Sequence, residues 1–165
     1  MAARRDARRA AIYGEWLDAV KGDDFVGVQN YERSRTGPDG PLPPPEGSPR
    51  NWSGAEVYAP SLGNAVRYVH AATGCPIIVT EHGLGTDDDT LRARFIPESL
   101  QGLAAAMADG VPVGGYIHWS LLDNFEWIFG YRPKYGLVAV DRKTFKRTPK
   151  PSASVLGAIA RRNSL

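Results

Sequence analysis

The chain has 165 residues, 42% of them hydrophobic, which suffices for one ordinary domain with a sizeable core and is short for two. Lys and Arg number 20 against 18 Asp and Glu, and the formal charge of +2 is too small to point to a nucleic-acid or membrane partner. The single cysteine, Cys75, excludes an internal disulfide framework and offers no spacing for a metal site.

No run approaches the roughly 18 apolar residues of a membrane span, and no apolar stretch follows the basic start MAARRDARRA as it would in a secretion signal. A soluble, cytoplasmic protein is therefore expected. The segment ARRDARRAAIYGEWLDAVKG sets Ala7, Ala11, Ile12, Trp16, Leu17 and Val20 near helical spacing, with Gly22 where that helix would stop. Its arginines are read as the wet face of an amphipathic helix, with a nucleic-acid arm as the lesser alternative. Next, DDFVGVQNY is short, apolar and β-rich, and predicts a buried strand ending between Gln29 and Tyr31.

SRTGPDGPLPPPEGSP, Ser34 to Pro49, is so dense in proline and glycine that neither a helix nor a central strand fits it. It predicts a loop without a core, of the length that binding loops and lids have. The segment before it is too short to be a domain, so residues 1–165 are read as one domain carrying this loop at 34–49.

APSLGNAVRYVHAATG predicts a second helix, with Pro60 at its start, Leu62, Ala65, Val66 and Val69 on one face and Gly74 as its C-cap. His70 falls in the last turn, where a cation suits the helix dipole, and is read as structural. The strand PIIVT follows. TDDDTLRARFIPESLQGLAAAMADG then predicts a capped helix whose apolar stripe runs to Met107 and which closes at Gly110. Asp87, Asp88 and Asp89 resemble metal ligands, but an opening helical turn favours negative charge, so no metal or cofactor is expected. A third strand lies within VPVGGYIHWSLLDN.

Nearly continuous apolar strands separated by helices indicate a parallel sheet covered by helices, an α/β fold. In such sheets functional groups sit beyond the carboxyl ends of the strands. That selects Tyr31 after the first strand, Glu81 and His82 after the second, and Trp119, Asp123, Asn124, Glu126 and Trp127 after the third. Aromatic faces suit the C–H faces of a sugar ring, and carboxylates accept paired hydrogen bonds from neighbouring hydroxyls. No G-x-G-x-x-G or Walker-type segment competes with carbohydrate as the ligand.

The same residues carry a family resemblance. VTEHG resembles the nucleophile motif of the family 1 glycoside hydrolases, β-glucosidases and their relatives, in which Asn usually stands where this chain has His82. GYIHWSLLDNFEWIFGYRPKYGLVAVD, Gly115 to Asp141, is similar to that family's C-terminal signature, and DDFVGVQNY to its sixth-strand motif. The resemblance implies a partial (β/α)8 TIM barrel comprising about the last three β/α units, strands 6 to 8. It implies that Glu81 is the nucleophile of a retaining mechanism, that Tyr31 hydrogen-bonds and orients it, and that Trp119 floors the sugar pocket. Glu126 and Trp127 would bind the sugar's outer hydroxyls, and Tyr135 would stand near the pocket wall. A protonated His82 would add a positive charge beside Glu81.

A retaining glycosidase needs two carboxyl groups about 5 to 5.5 Å apart, one attacking the anomeric carbon and one protonating the leaving group. In the family the second lies in a T-F/L-N-E-P motif on strand four, which this sequence lacks; Glu15, Glu32, Glu46, Glu56 and Glu98 have no such setting. The resemblance thus implies the C-terminal portion of a β-glycosidase acting on β-glucosides or related sugars. The alternative is an inactive remnant that at most binds carbohydrate or pairs with another chain. Three strands of a closed barrel would leave open edges, so marginal stability or self-association is expected. Relatives acting on 6-phosphorylated glycosides tend to carry Ser in place of Glu126, so free sugar hydroxyls are favoured, although Lys134 lies near the position of a phosphate binder. Finally, the basic cluster from Arg142 to Lys150 is expected to be a solvated turn before a last helix, Ser152 to Arg161.

Overall fold

A computed structural model describes residues 2–165. The chain enters through helix α1 (Ala2–Arg9), a π-helical turn over Ala10–Gly14 and helix α2 (Glu15–Ala19). The apolar stripe expected here is not buried: no residue of the three segments is, and Trp16 is 75% exposed. Its spacing is helical, but among the described residues little packs against it.

Strand β1 (Val26–Asn30) follows, then two short strands, β2 (Arg35–Thr36) and β3 (Pro41–Leu42), paired antiparallel. These two lie inside the stretch predicted to be plain loop. They fit because the hairpin is isolated and two residues wide, so Pro41 withholds no bond from a larger sheet. Helix α3 (Ser61–Thr73) starts after Pro60, ends at Gly74 in the left-handed region (φ 75°), and buries Leu62 and Val66. Strand β4 (Ile77–His82) runs two residues past PIIVT, so Glu81 and His82 lie within it and not beyond it.

Helix α4 (Asp89–Ala108) is capped by the Asp88 carboxylate, which accepts from the backbone N–H groups of Thr90 and Leu91. Its buried face is Phe95, Ile96, Ser99, Leu100, Leu103 and Ala106; Met107, expected on that stripe, is half exposed because Ala106 takes the inward position. Strand β5 (Val113–His118), strands β6 (Val138–Val140) and β7 (Arg147–Pro149) as an antiparallel hairpin, and helix α5 (Pro151–Arg162) complete the chain. The hairpin occupies the segment expected to be a solvated basic turn.

The main sheet is parallel in the order β1-β4-β5, the α/β arrangement expected from the apolar strands. One core joins Val28, Ile77 and Val79 of the sheet to Leu62 and Val66 of α3, Ile96, Leu100 and Leu103 of α4, and Leu137. All of that burial lies on the helix side. Both edge strands, β1 and β5, have a free edge. Among the described residues no helix is long and apolar enough to cross a membrane.

Behind the β4 carboxyl end, Arg92 is wholly buried and each of its three nitrogens is bonded. Its Nε donates to the Leu84 carbonyl (3.2 Å), one terminal nitrogen donates to the Thr86 and Lys134 carbonyls (2.7 and 2.5 Å), and the other pairs with Asp89. Asp89 in turn accepts from the Ser152 backbone N–H and hydroxyl at the start of α5. Burial works against charge on Asp89, but the bonds from Ser152 and Arg92 outweigh it and hold the carboxyl below its ordinary pKa. Of the three consecutive aspartates, therefore, Asp88 caps a helix and Asp89 ties two helices and two loops together.

Candidate active site

Glu81 reaches the site through an irregularity in β4. Opposite β1, Val28 pairs with Val79 but Gln29 pairs with Glu81, so Thr80 is an extra residue. The pairing with β5 also slips between Val79 and His82. Side chains alternate along a strand, and Ile77 and Val79 face the helices; unbroken alternation would send Glu81 there too. A bulge re-aims the residues after it. His82 instead enters the helix-facing core, stacked on Phe95 of α4 with ring centroids 5.0 Å apart, and Glu81 turns to the opposite face.

There the Tyr31 hydroxyl, one residue past β1, donates to Glu81 Oε2 at 2.5 Å. Burial, and next this bond to the carboxylate, pushes the Tyr31 phenol well above its ordinary pKa, so it stays a proton donor. The Tyr135 ring meets Tyr31 edge to face at 5.7 Å, and its hydroxyl accepts from Trp52 Nε1 at 3.0 Å. Burial is also the main cause raising the Tyr135 phenol. Trp119, directly after β5, donates from Nε1 to Glu126 Oε1 at 3.2 Å, and its backbone N–H bonds to the His82 carbonyl.

The glycines of TEHGLG are set by close approach. A Cβ on Gly83 would lie 1.9 Å from the Trp119 carbonyl oxygen, and one on Gly85 would lie 2.3 Å from Trp52 Cδ1 and 2.8 Å from Tyr135 Cζ. Only glycine lets β4 leave the sheet against these groups.

Of the sequence-predicted residues, the fold thus gathers Tyr31, Glu81, Trp119, Glu126 and Tyr135. Trp127 is not enclosed with them: it sits in a 3-10 turn and is 83% exposed. Asp123 is structural. It is buried, its carboxylate accepts from the Gly136 N–H, and it forms an ion pair with Lys150 at 2.9 Å. Lys150, expected in a solvated turn, is drawn inward to neutralise it. Asn124 accepts from the Ser120 hydroxyl at 3.1 Å.

The expectation of a protonated His82 beside Glu81 is overturned. Burial, and then the neighbouring His118, pushes its pKa down to about 3, so the ring is neutral and lies on the other side of the sheet. Sequence reasoning also missed Trp52. It follows the proline-rich loop, packs edge to face on Phe129 at 4.8 Å and holds Tyr135; a lone tryptophan in a polar loop was the available signal. Arg33 was missed as well. Its guanidinium lies over the Tyr58 ring at 3.4 Å and bonds twice to the buried Glu56 at 2.7 Å, and that bonding is the main cause holding the Glu56 carboxyl below its ordinary pKa.

Residues 28–165 match the sequence profile of Glycosyl hydrolase family 1. The chain belongs to this family. Beta-glucosidase 44 of Arabidopsis thaliana is 34% identical over 179 residues, spanning 88% of this chain and 35% of its own. The chloroplastic galactolipid galactosyltransferase SFR2 of the same plant is 42% identical over 124 residues, 72% of this chain and 20% of its own. Among solved structures, the apo structure of a β-glucosidase 1317 superposes with a TM-score of 0.89 at 46% identity, covering 97% of this chain and 39% of the other. The β-glycosidase BGL167 gives 0.89 at 48%, covering 95% and 38%. The chain therefore spans about a fifth to two fifths of the length of these family 1 relatives.

Proposed function

We propose that the chain supplies strands 6 to 8 of a family 1 (β/α)8 barrel and the nucleophile half of a retaining β-glycosidase site. The observation that carries the proposal is the Tyr31–Glu81 hydrogen bond at the carboxyl ends of adjacent parallel strands, within the residues that match the family. Glu81 attacks the anomeric carbon and forms the glycosyl-enzyme, while Tyr31 holds the attacking carboxylate in one orientation. Trp119 offers its indole face to the sugar ring, and Glu126, anchored by Trp119 Nε1, accepts from sugar hydroxyls. A carboxylate at Glu126 would repel a 6-phosphate. Lys134, whose ammonium donates to the Tyr131 carbonyl at 2.8 Å, keeps its charge, so tighter binding of a 6-phosphoglucoside than of a glucoside would overturn this preference.

The family's T-F/L-N-E-P motif is absent from this sequence, and on this reading the acid that protonates the leaving group is a carboxyl group supplied from outside these residues. A leaving group that departs without protonation removes the need for that acid. The test is therefore incubation with a dinitrophenyl 2-deoxy-2-fluoro-β-glucoside followed by mass spectrometry. A single glycosyl mass on the peptide carrying Glu81, lost in Glu81→Gln, is the expected result. No adduct, or an adduct elsewhere, overturns the assignment and favours the inactive remnant. Similarity to a galactosyltransferase supports a second reading of the same intermediate, in which another sugar's hydroxyl replaces water as the acceptor; product analysis with added galactoside separates the two.

A further inference from the structure

Behind the site, on the helix side of the sheet, lies a polar cluster that the glycosidase reading does not use. The Tyr116 hydroxyl on β5 stands 2.9 Å from His82 Nδ1 on β4 and 2.9 Å from His118 Nδ1 on β5. His82 is buried and His118 half-buried, and Nε2 of each is shut off from solvent with no hydrogen-bond partner among the described residues. The phenol is therefore the one hydrogen-bonding anchor of both rings. From α4, Phe95 stacks on His82, and the charged group near the cluster is the Arg92 guanidinium, itself paired with Asp89.

A phenol carries a single proton. It can donate to only one Nδ1, and must accept a proton from the other. Two neutral rings bonded to one phenol are then of opposite tautomer. Burial depresses both, His82 to about 3 and His118 to about 4, which is consistent with neutral rings. The placement gives the cluster leverage. His82 directly follows Glu81, His118 directly precedes Trp119, the two histidines are paired across the ladder, and the Trp119 N–H bonds to the His82 carbonyl at 2.9 Å.

We propose that Tyr116 is a positioning residue: its phenol, shared between His82 and His118 in opposite tautomers, locks the ends of β4 and β5 and so fixes Glu81 relative to Trp119. This rests on the glycosidase reading in one respect only, that Glu81 and Trp119 face the same sugar. The device explains why a histidine stands where the family resemblance leads one to expect asparagine: it works as a ring in the core, with no charge presented to Glu81.

The test is long-range proton–nitrogen correlation on the 15N-labelled chain. His70, whose Nδ1 faces the Cys75 carbonyl at 2.9 Å, provides an internal Nδ1–H standard. At neutral pH one of His82 and His118 is expected to carry its proton on Nδ1 and the other on Nε2; the same tautomer in both overturns the shared phenol. In Tyr116→Phe one ring should change tautomer and the Trp119 indole N–H resonance should move as its bond to Glu126 is re-aimed. If that variant does not fold, His82→Asn takes its place with the indole readout. An unmoved Trp119 resonance in the folded variant overturns the positioning role. None of these signals depends on turnover, so failure to label Glu81 would sink the glycosidase proposal and leave this one standing.

Discussion

The helix-facing side of the β1-β4-β5 sheet encloses Ile77, Val79 and His82 completely, whereas the opposite side leaves Ile117 55% exposed and, above it, Trp127 83% exposed. The N-terminal helical segment packs beside α3 at the β1 edge, with Arg9 over the Tyr68 ring at 4.5 Å, and borders there a groove of about 960 Å³ that includes Trp16 but neither Tyr31 nor Glu81. The closed side gains its burial from α3, α4 and α5, all within the chain. The open side holds the candidate chemistry and gains little burial from the chain itself. Folding and the candidate chemistry thus draw on different faces of the same three strands, and in a chain spanning about two fifths of these solved relatives it is the face of the candidate site that stays open.

Substitutions that cross this divide should separate the two roles. The largest effect is expected for Arg92→Ala on the closed side, which strands Asp89 and three carbonyls: a loss of about 3–5 kcal/mol in urea unfolding. A loss under 1 kcal/mol would mean that this network is not what holds the closed side.

Acid should act on that side next. His82 and His118 are neutral in the fold and gain protons freely when unfolded, so below the ordinary histidine value of 6.5 the unfolded chain binds more protons. The stability they contribute is whole above that value and declines as pH falls toward about 3. The Arg33–Glu56 pair adds to the decline at its lower end, since the depressed Glu56 carboxyl loses its contribution only as pH falls through its folded pKa. The urea midpoint followed from pH 7 to 4 should drop, and His82→Asn should flatten the slope between 6.5 and 4. An unchanged slope in that variant would refute a buried neutral His82.

Gly85→Ala lies on the boundary. The added methyl group drives into Trp52 and Tyr135, costing about 1–3 kcal/mol and shifting tryptophan emission as Trp52 moves. The smallest effect is expected for Trp127→Ala on the open face: a stability change within about 0.5 kcal/mol by the same unfolding measurement. A larger change would show that the open side contributes to the core after all.

Much of the closed side was legible in the sequence. Leu62 and Val66 at helical spacing, Gly74 at the stop, Asp88 at a helix start and the apolar strands each carry their own local reason. The elements left unread depend on distant partners. Nothing near Lys150 announces that Asp123 will be buried beside it, and nothing near Trp52 announces Tyr135, which stands 83 residues away. The apolar stripe of the first helix was legible as a stripe but not as an unburied one, because burial belongs to whatever packs against it.

In the candidate site the sequence by itself determined the chemical types and their order: Tyr31, Glu81, Trp119 and Glu126 stand at or after strand ends, and the family resemblance adds Tyr135. Which way they point was decided by the tertiary structure alone. Strict alternation from Ile77 and Val79 would have sent Glu81 into the helix layer; the extra residue at Thr80 exchanges Glu81 and His82 between the two faces. That choice is made by ladder pairing with β1 and β5 and by the cavity beside Phe95 that takes the imidazole, interactions between strands and helices that no local stretch of sequence contains.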